Sequence, residues 1–264
     1  MSLSDATRLA FDTWPQWRLA LDEPPTIIRR LPGGLTNQLY LLKAAGLRLV
    51  LRVNNKDSDL LGIDRQREQQ ILEQIQGESF APVVFYCDPE QQVLVTEYIE
   101  GYQWQPEDLK DEGKLDSLLE LIRLIHRVKR DIPPFDYAAH LKAYMQRLLE
   151  SKQPFPMSAL KLYKGIETGL PAFEAAIKEP VLCHHDLTPE NIIETDDGRM
   201  IVLDWEYAGG GSLLIEAMGV ARYWNSPELS AGLIDPASSE VTLQLARDIV
   251  DFCDLAWGVL IRSN

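Results

Sequence analysis

Cysteine is scarce. The three residues, Cys87, Cys183 and Cys253, are odd in number and widely spaced, which excludes a disulfide framework. Their apolar surroundings read as buried thiols, and we expect a cytoplasmic protein. Positive charge is also short: 26 Lys and Arg stand against 40 Asp and Glu, for a net charge of −14. That balance argues against nucleic acid or an anionic membrane as partner. Nowhere do about 18 apolar residues run together, so no membrane span is expected. The first residues, MSLSDATRLAFDTWPQW, lack the basic start and apolar core of a secretory leader. There are no internal repeats and no low-complexity tracts. The length suits one large domain or two lobes with separate cores.

What is present divides near residue 100. Before it, strands dominate: 27–31, 38–43, 47–53, 80–87 and 92–98, with a turn at Ala44-Ala45-Gly46. An amphipathic helix over 4–20 is interrupted near Pro15. Helical spacing also marks 63–75, with Asp64 as a plausible N-cap. After residue 100, helical patterns cover 115–128, 137–150, 158–178, 213–223 and 241–261. His126 falls on an apolar helix, where a lone histidine is far more often core than ligand.

The densest chemistry lies in 181–211, VLCHHDLTPENIIETDDGRMIVLDWEYAGGG. Ile192-Ile193 and Met200 to Leu203 flank Asp196-Asp197-Gly198 and predict a β-hairpin, closed by Asp204. Asp186, Asn191 and Asp204 are the polar side chains able to meet at one point. Two acids and an amide suit a hard cation such as Mg²⁺; alternatively, one acid takes a proton from a substrate hydroxyl. Gly33-Gly34 reads either as a plain turn or as a phosphate cradle to which Thr36 and Asn37 add polar contacts. Arg52, one strand later, favours the cradle. Glu68, in the helix, is either a surface residue or a partner turned toward Arg52.

Taken together, LPGGLTN (31–37), LVLRV (49–53), IDRQRE (63–68), VTEYIEG (95–101), HHDLTPEN (184–191) and VLDWEYAG (202–209) resemble the aminoglycoside phosphotransferase and choline/ethanolamine kinase superfamily. The Asp-Trp-Glu-Tyr-Ala-Gly segment is more similar to the choline kinase and bacterial thiamine kinase side. The spacing is the specific signal: Asn191 follows Asp186 by five residues, and Asp204 follows Asn191 by thirteen. The resemblance implies an α+β, two-lobed protein-kinase-like fold. Residues 1–97 would form a nucleotide-binding lobe with an antiparallel sheet and a helix. Residues 98–101 would be a hinge, and 102–264 a mostly helical catalytic and acceptor-binding lobe. It implies ATP and Mg²⁺ as cofactors, with the γ-phosphoryl group moving to a hydroxyl of a small molecule.

Carried over residue by residue, the resemblance makes Asp186 the residue that orients or deprotonates the acceptor. Asn191 and Asp204 hold Mg²⁺, Arg52 contacts phosphates and pairs with Glu68, and Glu97, Tyr98 and Ile99 meet the adenine through backbone groups. Two departures stand out: His185 replaces the commoner Gly or Asn, and Ser212 stands where relatives often carry an aspartate, with Glu216 at another acidic position.

For the acceptor, Glu206 with Tyr207, Tyr223 and Trp224 would make an acidic, aromatic pocket suited to a quaternary ammonium or thiazolium. Trp257 reads better as core. The expected acceptor is therefore cationic, of choline, ethanolamine or thiamine type; an aminoglycoside or other sugar-like molecule is the alternative. A regulator that binds nucleotide without catalysis is the alternative of another class. A metal hydrolase built on His184, His185 and Asp186 leaves its remaining ligands unexplained. No nucleic-acid or membrane partner is expected, and the chain would act as a monomer or homodimer.

Overall fold

The computed structural model describes residues 4–32, 37–55, 61–128, 130–151, 153–177 and 179–260. Five antiparallel strands form the first sheet, in the order β1-β2-β3-β5-β4. They are Thr26–Arg30 (β1), Asn37–Ala44 (β2), Leu47–Asn54 (β3), Val84–Asp88 (β4) and Val93–Glu97 (β5). β2 and β3 are joined by Ala45 (φ 47°) and Gly46 (φ 79°). Two positive φ values in succession give the turn whose twist matches a hairpin. Alternation then sorts the strands' side chains: Tyr40, Leu42, Leu49, Leu51 and Val53 share one face with Val93 and Val95, under Ala10 and Trp17. Ala10 belongs to α1 (Asp5–Phe11), which gives way to a 3-10 turn at Trp14–Gln16. The helix ends at Phe11, with Asp12 as its C-cap, and Pro15 lies in the first turn of the 3-10 segment, where no N–H is needed.

The opposite face of the sheet receives α2 (Arg65–Ile75). Asp64 caps it by accepting the N–H groups of Gln66 and Arg67, each at 3.0 Å. Ile71, Leu72 and Ile75 of α2 enter a core with Phe80, Val84 and Leu94 of the sheet half. The same core takes in Trp104, Leu118, Ile122, Leu182 and Trp205 from beyond residue 100. It therefore draws side chains from both sides of residues 98–101. Each buried tryptophan there removes roughly 150–250 Å² from water, worth ~4–6 kcal/mol as an upper bound.

Beyond β5 come β6 (Tyr102–Gln103), α3 (Glu112–His126), α4 (Tyr137–Glu150) and α5 (Met157–Ala176). Then follow β7 (Val181–Cys183), β8 (Ile192–Glu194), β9 (Met200–Val202), β10 (Gly209–Gly211), α6 (Leu213–Tyr223), α7 (Pro227–Leu233) and α8 (Glu240–Leu260). The β8–β9 hairpin forms as expected, with β6 on its outer edge. β7 pairs antiparallel with β10, bracketing the motif-rich stretch from both ends. α4, α5 and α8 pack around a second core of Leu141, Leu148, Ile166, Phe173, Ile249 and Phe252. No helix among the described residues is long and apolar enough to cross a membrane.

Candidate active site

The β7–β10 ladder fixes the start and end of the loop that carries the chemistry. His184 leaves β7 and its backbone N–H donates to Glu216 Oε1 at 2.8 Å; the N–H of His185 donates to Glu216 Oε2, also at 2.8 Å. One carboxylate on α6 thus satisfies two N–H groups that no strand continues. Burial pushes Glu216 up to about 7, against those two hydrogen bonds. Glu216, not Ser212, is the acid the loop needs; Ser212 caps α6 by accepting the Leu214 N–H at 3.2 Å.

Asp186 comes next. Asn191, five residues on in a 3-10 turn, donates Nδ2–H to Asp186 O at 2.8 Å and to Oδ2 at 3.2 Å. Burial raises Asp186 to about 7, and Glu206 adds to the rise. Asp204 stands two residues past β9, before the 3-10 turn Trp205–Tyr207, in a left-handed backbone, φ 60° and ψ 63°, with its carboxylate in the same cleft. Arg52 Nη1 donates to its Oδ1 at 3.0 Å. About 38% of the Asp204 side chain faces the cleft. The walls nonetheless withhold enough water, with Glu206 close by, to hold it well above its usual range.

Arg52 begins a row of alternating charge. Its Nη2 donates to Glu68 Oε1 at 2.5 Å, and Arg65 Nη1 donates to Glu68 Oε2 and to Glu206 Oε2, both at 2.8 Å. Asn37 closes the row: its Oδ1 accepts from Arg65 Nη2 at 3.0 Å, and its Nδ2 donates to Glu206 Oε2 at 3.0 Å. Burial opposes both charges of the Arg52–Glu68 pair. Glu68, Asp204 and Glu206 outweigh it for Arg52, which is held above its usual value. Arg52 and Arg65 outweigh it for Glu68, which is held below the usual carboxylate range.

A cavity of about 350 Å³ opens beside Asp186. Tyr137, Tyr144, Tyr207, Tyr223 and Trp257 give it aromatic walls. Its charged lining residues are Asp186, Asp204, Glu206, Glu216 and Asp254; no lysine or arginine lines it among the described residues.

Several expectations change at this cavity and the row beside it. Glu206 borders the cavity, but its Oε2 is taken by Arg65 and Asn37, so it is a member of the charged row before it is a reader of an acceptor. Asn37, expected on the phosphates, points into that same row. Trp224 is not at the acceptor pocket. It is 1% exposed in the core and donates its indole N–H to Leu187 O at 2.9 Å. The reason is helical phase: Tyr223, one residue earlier, takes the cavity side and Trp224 the core side. Trp257, read as core, does pack against the second core and lines the cavity as well. Glu97 and Tyr98 use their backbone N–H groups on Val83 O (2.9 Å) and Arg48 O (3.0 Å). Gly33, Gly34 and Thr36 lie outside the described residues. Sequence reasoning gave no role to Arg65, though it stands three residues before Glu68 on one helix face, the spacing at which side chains meet.

No group of three or more His, Cys, Asp and Glu side chains among the described residues is arranged to hold a metal alone. The histidines are turned elsewhere: His184 Nε2 faces Leu203 O at 2.9 Å and His185 Nδ1 faces Tyr207 O at 3.0 Å. That arrangement does not fit a hydrolytic metal centre. Asn191 and Asp204 do fit Mg²⁺, which takes few protein oxygens and completes its shell with phosphate and water. Arg52 also retains a buried Nε with no hydrogen-bond partner among the described residues.

The phosphotransferase enzyme family matches residues 27–237, and the chain belongs to that family. It is similar to protein LicA of Haemophilus influenzae, 30% identical over 183 residues, which are 67% of this chain and 52% of LicA. It is also similar to ethanolamine kinase 2 of Mus musculus, 27% identical over 220 residues, 78% of this chain and 54% of that one. The matches thus span about half the length of these relatives. Among solved structures, LicA in complex with AMP superposes with a TM-score of 0.78 at 20% identity, covering 97% of this chain and 90% of the other. The choline kinase LicA from Streptococcus pneumoniae gives 0.69 at 22%, covering 88% and 86%. The α+β, protein-kinase-like fold expected from the motifs is the fold observed.

Proposed function

We propose that this chain is an ATP-dependent phosphotransferase that moves a γ-phosphoryl group to the hydroxyl of a small cationic metabolite of choline or ethanolamine type. The observation that carries the reading is the position of Asp186 beside an aromatic cavity whose charged lining is acidic throughout. An aromatic face and nearby carboxylates together favour an ammonium group over a neutral sugar. The likeness to ethanolamine kinase 2 supports the same acceptor class.

In this reading residues 1–97 bind nucleotide, 98–101 connect and 102–264 carry the acceptor. Asp186 accepts the acceptor's hydroxyl proton; its elevated pKa, about 7, makes it a better base than an exposed aspartate. Asn191 fixes that carboxylate through Oδ2 and, with Asp204, presents oxygens to Mg²⁺. Bound there, Mg²⁺ would neutralise phosphate charge. Arg52, held by Glu68 and Asp204, supplies positive charge on the phosphate side. Gly33, Gly34 and Thr36 would contact the phosphates, as the family resemblance implies. Glu97 and Tyr98 meet the adenine through carbonyls, since their N–H groups are taken, and Ile99 supplies the N–H. Tyr223 packs on the acceptor; Glu206 contributes field rather than contact.

The test is ADP release with ATP and Mg²⁺ over choline, ethanolamine, thiamine and aminoglycosides. Turnover with a cationic amino alcohol is expected. Turnover confined to aminoglycosides would move the acceptor class, and ATP binding without turnover on any acceptor would make the chain a regulator.

A further inference from the structure

His185 stands immediately before Asp186 with φ 62°, a left-handed backbone that glycine and asparagine adopt more readily than histidine. The geometry points to His185 as a positioning residue: a neutral imidazole strut that sets Asp186 through a hydrogen-bond chain running in one direction. Nδ1 lies 3.0 Å from Tyr207 O, which can only accept, so Nδ1 carries the proton. Nε2 lies 2.8 Å from Tyr137 Oη, and that oxygen already accepts the Ser212 N–H at 2.8 Å. With Nε2 bare, every group is matched: Ser212 N–H to Tyr137, Tyr137 O–H to His185, and His185 Nδ1–H to Tyr207 O. A proton on Nε2 would strand the buried phenol hydrogen.

It would also place a second cation near Arg67. That guanidinium lies 4.7 Å from the Phe135 ring, and His185 packs on the same ring at 4.2 Å between centroids. His184 takes the opposite tautomer, with Nε2–H on Leu203 O (2.9 Å) and Nδ1 accepting the Asp186 N–H (3.3 Å). The two imidazoles that precede the aspartate thus take opposite tautomers and anchor the backbone that leads into it. The fit is close: a Cβ on Gly211 would collide with Tyr137 Oη and stand 2.9 Å from His185 Nε2. Nothing in the family resemblance supplies this strut, because glycine or asparagine at that position has no ring to form it.

The inference rests on the phosphotransferase reading of Asp186, and the experiment separates the two. His185→Gly suits the backbone and removes the ring. We expect kcat to fall on the order of 10²-fold, the scale of a small misplacement at a reacting group, with nucleotide affinity retained. Imidazole added to the variant should restore part of kcat, because the vacated space opens on the cavity. With four histidines in the chain, ¹⁵N spectra of the imidazoles are simple to assign. His185 should be neutral with its proton on Nδ1, His184 neutral with its proton on Nε2, and Tyr137→Phe should move only the His185 signal. Unchanged kcat in His185→Gly, no imidazole rescue of a folded variant, or a charged or Nε2–H His185 overturns the strut. A wild-type chain that transfers phosphoryl to no acceptor overturns the functional reading alone, and the tautomer spectra still decide the strut.

Discussion

Two walls meet at Asp186 and Asp204, and they position their acids by opposite means. The wall built on α2 and β3 uses full charges: Asp204, Arg52, Glu68, Arg65 and Glu206 alternate in sign, with Arg52, Glu68, Arg65 and Glu206 all buried. The wall built on α4 and α6 uses neutral donors and acceptors: Tyr137, His184, His185 and the two N–H groups on Glu216. A charged wall is only as good as its pairing, since one missing partner leaves a buried charge uncompensated. A neutral wall adds no positive field. It can therefore line an acceptor cavity without cancelling the acids that border it.

Asp186→Ala, where the walls join, should have the largest effect. We expect kcat to fall on the order of 10³-fold, with ATP affinity, measured by calorimetry, nearly unchanged. An equal loss of affinity would place Asp186 on the nucleotide side. Next, Arg65→Met breaks the charged wall and should cost about 3 kcal/mol in urea unfolding, the scale for an orphaned buried carboxylate. A loss below about 1 kcal/mol would put that row on the footing of a surface ion pair. Trp224→Phe tests the neutral wall at Leu187 O, next to Asp186, and should cost about 1–2 kcal/mol for an unmade buried hydrogen bond.

The smallest effect is on pH. Burial foremost, then Glu206, raises Asp186 to about 7, so kcat/KM should fall as pH drops through that value and the carboxylate takes a proton. Removing the Glu206 charge with Glu206→Gln favours the ionised form of Asp186 and should move that limb to lower pH. A limb that stays in place would assign the rise to burial alone.

Much of this was legible in the sequence where the signal is local. The hairpin around Asp196-Asp197-Gly198, the Asp64 cap and the Asp186–Asn191–Asp204 spacing each depend on neighbours within a short span, and the structure shows each element in place. Partnerships across long separations were not legible. Arg65 meets Glu206 across 141 positions, and Tyr137 meets Ser212 across 75. No period in the chain encodes such meetings. Trp224 was misplaced because one step of helical phase decides between cavity and core, and an aromatic pair supplies no phase. β7 and β10 are three residues each, and three glycines show no alternation.

The acidic cavity also bears on product release. On the proposed reaction, an alcohol carrying a positive charge enters down the electrical potential. It leaves as a phosphate ester with about −1.5 to −2 of added charge. The carboxylates that attracted the reactant repel the product. Turnover in such a pocket discourages product accumulation without a moving part. Added salt, which screens exposed charges over about 8–10 Å, should weaken capture and expulsion together.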